Sequence, residues 1–272
     1  MIRNVLSIAG SDPSGGAGIQ ADLKTFAARG VYGMAVLTAL TAQNTRGVTG
    51  VHRVPPDFVA EQIRAVFADV RVDAVKVGMI ADAAIAQAVA DALEAYPGVP
   101  IVLDPVMVAK GGARLLAPDA VLVLTSHLLP LASVITPNLP EAAAILGEPE
   151  ATSREMMAEQ ALKLLALGPP AVLVKGGHLG SGESPDVLAT CDGLTWLEAE
   201  RVATANTHGT GCTLSSAIAA ELAKGRDLPT AVETAKRYLA GAVAAAGALS
   251  VGGGHGPVHH FHDLWNQQGI SI

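Results

Sequence analysis

The residue types best suited to chemistry lie in one stretch, Thr204-Ala205-Asn206-Thr207-His208-Gly209-Thr210-Gly211-Cys212-Thr213. Leu214, Ile218, Leu222 and the alanines around them follow at helical spacing, so a helix is predicted to begin near Gly211 or Cys212. The first turn of a helix has unpaired N–H groups and the positive end of the macrodipole, and glycine lets that backbone approach an anion. Cys212 falls where a thiolate is expected to be stabilised. An anion site and a tuned thiol in one turn suggest transfer chemistry on phosphate. Taken alone, the stretch also reads as a glycine turn that merely starts a helix.

Other polar residues stand where strands are expected to end. Val5-Leu6-Ser7-Ile8-Ala9-Gly10 reads as a strand buried on both faces, and Ser11-Asp12-Pro13-Ser14-Gly15-Gly16-Ala17-Gly18 as a turn-rich loop before a helix marked by Ile19, Leu23 and Phe26. That loop is neither a Walker A loop nor a GxGxxG. Val36 to Ala42 is predicted as a second strand ending at the amides Gln43 and Asn44, which can read a heterocycle edge or cap a turn. Residues 48–54 form an edge strand or part of a lid. Asp104 ends the strand Pro100–Leu103, at the ligand edge of an open α/β sheet. Lys175 ends Ala171–Val174 before two glycines, either solvated or facing a phosphate cleft. Pro137 is expected to start a helix with Asn138 and Glu141 in its first turn, as capping groups or as part of a site.

The remaining elements follow from periodicity. Strands are expected at 74–78 and 133–136, helices at 83–95, 153–167, 211–224 and 229–248, and a hairpin at 187–202 turning at Asp192-Gly193. Gly252 to Gly256 is expected to be flexible. His259, His260 and His262 lack a complete ligand set and read as a packed or solvated tail. Strand and helix alternate through most of residues 1–272, which predicts one α/β domain, a three-layer α/β/α unit with a mostly parallel central sheet.

Composition narrows the function. Half of the 272 residues are hydrophobic but only 3% are aromatic, so the core must be built from Ala, Val, Leu and Ile. The net charge of −7 disfavours a nucleic-acid surface. Two cysteines without paired spacing fit a reducing cytoplasm and exclude a disulfide framework or zinc ribbon. The start does not read as a signal peptide. Mean hydropathy is +0.39, yet no uninterrupted apolar stretch is long enough to predict a membrane span.

Five motifs in order then resemble one family. They are Val5 to Asp22, Thr41-Ala42-Gln43-Asn44-Thr45, Asp104-Pro105-Val106-Met107, Thr136-Pro137-Asn138 with Glu141, and Gly209-Thr210-Gly211-Cys212. Together with Gly256 to His262 they resemble the hydroxymethylpyrimidine/phosphomethylpyrimidine kinases of thiamine synthesis, members of the ribokinase-like superfamily. The resemblance implies ATP-dependent phosphorylation of 4-amino-5-hydroxymethyl-2-methylpyrimidine and then of its monophosphate. It implies Cys212 as general base, with the backbone of Gly209, Thr210 and Gly211 holding the transferred phosphoryl group. Gln43, Asp22, Gly10, Ala17, Met79 and Val106 match the pyrimidine pocket. Lys175, Asn138, Thr207 and His208 stand on the ATP side, and Asp104 and Glu141 near magnesium. Lys110-Gly111-Gly112 would belong to a flap, and a homodimer is expected. A pyridoxal or pyridoxine kinase and a non-catalytic pyrimidine sensor are the competing readings.

Overall fold

A computed structural model describes residues 1–107, 118–180 and 183–267. Lys110-Gly111-Gly112 lies outside the described residues.

Short apolar runs became the central sheet. Strands β1 (Asn4–Ala9), β2 (Tyr32–Leu37), β5 (Ala74–Val77), β6 (Ile101–Leu103), β7 (Val134–Ile135) and β8 (Ala171–Lys175) pair in parallel, and β9 (Asp186–Thr190) and β10 (Gly193–Leu197) add an antiparallel hairpin. The order is β10-β9-β8-β7-β6-β5-β1-β2. Side chains alternate across it. Leu6, Ile8, Val75, Val77, Val172 and Val174 pack on one face with α2 (Pro56–Asp69), α3 (Ala83–Glu94), α5 (Leu139–Leu146) and α6 (Arg154–Leu165). Val5, Ala74, Val102, Ala171 and Leu173 pack on the other with α1 (Gly18–Ala28), α7 (Thr210–Ala223) and α8 (Leu228–Ala244). The result is three layers with a mostly parallel sheet, as the alternation of elements implied. Alanine supplies much of α7 and α8, so those helices lie close to the sheet and to each other. Short α4 (Pro118–Val123) and α9 (His262–Gln267) complete the helices.

Several expectations need correction. Val36 to Ala42 is not one strand. The chain leaves the main sheet at Thr38, whose Oγ1 donates to the Met79 carbonyl at 2.6 Å, and Ala39–Asn44 (β3) pairs antiparallel with Gly47–Arg53 (β4) in a separate two-stranded sheet. The hairpin's second strand ends at Leu197 rather than 202. Helix α5 starts at Leu139, with Asn138 as N-cap and Pro140, not Pro137, in its first turn. The glycine stretch 252–256 is tied down: Gly254 N donates to Thr45 Oγ1 and His255 N to Thr45 O, at the turn between β3 and β4. A Cβ on Gly254 would overlap that carbonyl, so the close approach requires glycine. The histidine tail packs rather than hanging free. His259, His260 and His262 are buried, His260 lies 3.2 Å from Thr213 Oγ1, and burial pushes its imidazole down to about 3.

Candidate active site

Strand ends and two glycine loops meet at one edge of the sheet. Five helices begin with a specific device: Asp82, Asn138, Ser153 and Asp227 cap α3, α5, α6 and α8 with their side chains, and α2 opens on Pro55-Pro56. A side-chain cap contributes about 1 kcal/mol. Helices α1 and α7 forgo it, with Ala17 and Gly209 as N-caps and no side-chain bond. No side-chain cap takes their first-turn N–H groups; in α1 that of Ile19 donates to the Gly10 carbonyl at 3.0 Å and that of Gly18 faces Cys212.

The loops before these two helices interlock. Gly209 has φ 81, and a Cβ there would run into the Gly16 carbonyl; a Cβ on Gly16 would overlap the His208 ring. Asp12 organises the first loop. Its carboxylate accepts from the N–H groups of Ser14 and Ala17 at 2.9 and 2.8 Å and from Ser14 Oγ at 2.6 Å, and its Oδ2 lies 2.7 Å from His208 Nε2. Burial opposes the Asp12 charge, but His208 and Ser14 outweigh it and lower its pKa.

A cavity of about 570 Å³ opens against these loops. Gly10, Ala17, Gln43, Met79 and Val106 line it, as do Asp104, Asn138, Glu141, Lys175 and the run Thr207 to Cys212. Gln43 Oε1 lies 3.2 Å from Thr41 Oγ1, whose hydroxyl also faces the Ser11 carbonyl at 2.9 Å, and the Gln43 amide nitrogen lies 3.5 Å from His208 Nε2. A second cleft of about 550 Å³ lies on the other side of α7's first turn. Gly177, residues 199–204 and Leu239, Ala240 and Val243 of α8 line it. The two share Asn138, Lys175, His178, Thr207, Thr210 and Gly211.

The charged groups at the junction are few and close. Lys175 Nζ lies 2.9 Å from Asp104 Oδ1 and 3.9 Å from Glu141 Oε2. Thr136 Oγ1 at 3.2 Å and Ser215 Oγ at 3.3 Å also bond Asp104. Burial works against the Asp104 charge, but Lys175 and Lys76 overcome it and lower its pKa. Glu141 goes the other way: burial, reinforced by Asp104, pushes it up to about 7 against the pull of Lys175. It forms a capping box with Asn138, each side chain bonding the other's backbone N–H. The capping reading of Glu141 and its place on the cavity wall therefore both hold. Among the described residues no group of three or more His, Cys, Asp or Glu could hold a metal. Two buried carboxylates sharing one lysine leave room for a hard cation that takes few protein oxygens and keeps water and phosphate, as magnesium does.

Three expectations about individual residues change. Asp22 is fully buried and does not line the cavity; it accepts from Lys76 Nζ through both oxygens at 2.9 Å, from Ser7 Oγ at 2.6 Å and from Ser216 Oγ at 2.7 Å. His208 stands with Asp12 and Gln43 in the first cavity and is absent from the second cleft's wall. Cys212 lines the cavity, but its thiol is not lowered. Burial pushes it up to about 11, although Lys76 and the Gly18 N–H favour the thiolate. Sequence reasoning passed over Lys76, Asp12 and the wall of the second cleft formed by residues 199–204 and α8. A lysine inside a four-residue apolar strand was an available signal for the first.

Comparison with known proteins now places the chain. Residues 12–259 match the model of the phosphomethylpyrimidine kinase family. The protein belongs to that family. It is 56% identical over 262 residues to the hydroxymethylpyrimidine/phosphomethylpyrimidine kinase of Escherichia coli, covering 96% of this chain and 98% of the relative. Among solved structures, an ADP complex of Bacillus subtilis pyridoxal kinase superposes with a TM-score of 0.89 at 38% identity, covering 96% and 98% of the two chains. A Clostridium difficile phosphomethylpyrimidine kinase superposes at 0.77 and 44% identity, over 87% of this chain and 97% of that one. The fold is the ribokinase-like one that the motifs implied.

Proposed function

We propose that residues 1–272 act as one kinase domain that phosphorylates 4-amino-5-hydroxymethyl-2-methylpyrimidine with ATP, then phosphorylates the monophosphate to the pyrophosphate, in thiamine diphosphate synthesis or salvage. The observation that carries this reading is the meeting of two clefts at an uncapped helix start. One cleft offers an amide beside apolar Met79 and Val106, suited to a small heterocycle; the other sets apolar Val202, Ala203, Leu239, Ala240 and Val243 beside the cations Lys175, Arg201 and Lys236, suited to the ring and phosphates of a nucleotide.

In the first transfer the acceptor hydroxyl attacks the γ-phosphorus. An O–P bond forms, the bond to the ADP oxygen breaks, and the hydroxyl proton passes to Cys212 as thiolate. The N–H groups of residues 209–212 hold the charge on the moving phosphoryl; one such donor is worth about 3 kcal/mol of barrier. Lys175, with Asn138 and Thr207, binds the ATP phosphates. Gln43 reads the ring edge, and Gly10, Ala17, Met79 and Val106 shape its pocket. Asp104 and Glu141 would hold magnesium, which supplies positive charge against the phosphates. The second transfer needs no base, because its nucleophile is already a phosphate oxygen.

Mass analysis of a reaction with ATP, magnesium and the pyrimidine alcohol tests this, with mono- and diphosphate products expected. No product would overturn it, and pyrimidine binding without turnover would favour a sensor. The Bacillus subtilis neighbour, named as a pyridoxal kinase, supports a pyridoxal-type ring as second acceptor. Parallel turnover of both alcohols separates the two.

A homodimer acting in the cytoplasm completes the reading. Exposed Leu40, Val51 and Phe58, on β3, β4 and α2, support a partner surface, and two free cysteines fit a reducing compartment. No helix among the described residues is long and apolar enough to cross a membrane. Light scattering at micromolar concentration reads the mass, and a monomer would refute the dimer.

A further inference from the structure

Lys76 is a cation in the middle of a sheet. All four residues of β5 are buried, and its side chain and that of Asp22 are both 0% exposed. The period of the strand turns Lys76 toward the α1 and α7 face, away from Val75 and Val77. There Asp22 takes four hydrogen bonds, two from Lys76 and one each from Ser7 and Ser216. Ser216 lies one turn beyond Cys212 on α7. One carboxylate thus ties β1, β5, α1 and α7 together, one helical turn from Cys212. Burial opposes the Lys76 charge, but Asp22, Cys212 and Asp104 outweigh it and raise its pKa. A buried ion pair is seldom more stable than apolar residues of the same volume, so stability does not account for it.

Its position relative to Cys212 does. Lys76 lines the same cavity as Cys212. Among the charges around the sulfur, Lys76 on β5 acts most strongly in favour of the thiolate; Asp22 on α1 and Asp104 on β6 oppose it, and Lys175 on β8 also interacts with it. The Gly18 N–H of α1 points the same way as Lys76.

We propose that Lys76 is a positioning residue for the alcohol-phosphorylating step, its ammonium clamped by Asp22 as the fixed counter-charge for the Cys212 thiolate. The inference rests on the reading of Cys212 as general base. In each turnover the acceptor's O–H bond breaks and its proton goes to sulfur; the thiol then returns that proton to solvent. The counter-charge matters for that step only. Transfer to the monophosphate uses an oxygen that carries no proton.

The test uses the full chain with Lys76→Met/Asp22→Asn, Lys76→Arg and Asp22→Asn. The double variant removes both charges and leaves no bare carboxylate. The first readout is the pH dependence of Cys212 alkylation by iodoacetamide, by mass analysis, with Cys191 in the same digest as control. The second is kcat and KM with the alcohol and with the monophosphate. In the double variant the alkylation midpoint should rise by about one unit and kcat for the alcohol fall about tenfold. Monophosphate turnover should fall far less, and Lys76→Arg should keep most of the alcohol rate. Asp22→Asn alone should lower the midpoint, a readout that survives if the double variant fails to fold. An unchanged alkylation profile in Asp22→Asn and the double variant, or equal losses in both steps, would overturn the proposal. A shifted profile with full alcohol turnover in Cys212→Ala would instead sink the base assignment and leave the electrostatic link standing.

Discussion

Two buried lysine–aspartate pairs flank the start of α7, and they are built differently. Lys76–Asp22 is sealed, with both side chains at 0% exposure and every Asp22 bond made within the protein. Lys175–Asp104 opens on the junction of the two clefts; Lys175 is 14% exposed and has Glu141 as a second acidic neighbour. A sealed pair holds a charge in place. An open pair with a spare carboxylate can change partners, so Lys175 can turn to a phosphate while Asp104 keeps Thr136 and Ser215. On the proposed mechanism, the same residue types serve as a fixed field on one side of Cys212 and as an exchangeable ligand on the other.

The largest effect is expected at the residue both pairs surround. Cys212→Ala should lower kcat for the alcohol by about a thousandfold, within the usual range for a general base, and leave monophosphate turnover and ATP binding largely intact. Separate assays of the two steps decide it; equal losses would refute the base role. The pH dependence has a definite sign. The thiol is pushed up to about 11, so the thiolate fraction and the alcohol rate should climb from pH 7 to 9. The climb should vanish in the alanine variant.

Removing each lysine tests the comparison itself. Lys76→Met leaves Asp22 as an unpaired buried charge, costing about 3–5 kcal/mol, or roughly 10 °C in Tm. Both aspartates would keep two hydroxyl donors, but Lys175→Met leaves Asp104 at the open cleft with Lys76 still favouring its charge, so it should cost less, about 1–2 kcal/mol. It should, however, reduce kcat/KM for ATP by about a hundredfold. Thermal melts beside ATP titrations read both. If Lys175→Met were the less stable variant, the contrast between sealed and open would be wrong.

Gln43 sharpens the comparison from the acceptor side. Its side chain lines the cavity, with its amide nitrogen on the His208 side and its oxygen beside Thr41 Oγ1. Gln43→Ala should raise KM for the pyrimidine about tenfold, the worth of one hydrogen bond, with the KM for ATP unmoved. Equal shifts in both would deny it the edge-reading role.

How much of this was legible depended on side-chain type. Apolar runs announced five of the six parallel strands, while of β2 only Val36 and Leu37 fell within the expected run; Asp104 and Lys175 stood out as polar residues ending two of the five. Gly209 to Cys212 was readable because glycines and a cysteine preceded an alanine-rich helix. The break at Thr38 was not, because apolar residues continue across it. Only the alternation beyond it, Leu40 and Ala42 exposed against half-buried Thr41 and Gln43, separates the second sheet from the first. Of the second cleft only Asn138, Lys175, Thr207 and the start of α7 were marked; residues 199–204 and Leu239, Ala240 and Val243 look locally like any hairpin end or helix face. Asp12 looked like any turn aspartate; its role depends on His208, 196 residues away in sequence.

The smallest effect concerns Glu141 and tests whether the open pair is poised for a cation. Burial, helped by Asp104, holds its carboxyl near 7, above the ordinary 4.5. Between those values the folded state binds more protons at this site than the unfolded chain does. Stability from this group is therefore full below about 4.5 and falls as pH rises toward 7. Glu141→Gln removes the titration and keeps the shape, although the amide changes one half of the capping box. Subtracting variant from wild-type unfolding free energies cancels the other carboxylates. The difference should drift against the wild type by on the order of 1 kcal/mol from pH 5 to 7 without metal. Millimolar magnesium with a nucleotide should reverse part of that drift, because a cation beside Glu141 favours its ionised form. A flat difference would mean that Glu141 is already ionised and matched within the protein. Lys175 would then have no spare carboxylate, and the pair at the clefts would be as closed as the one beneath Cys212.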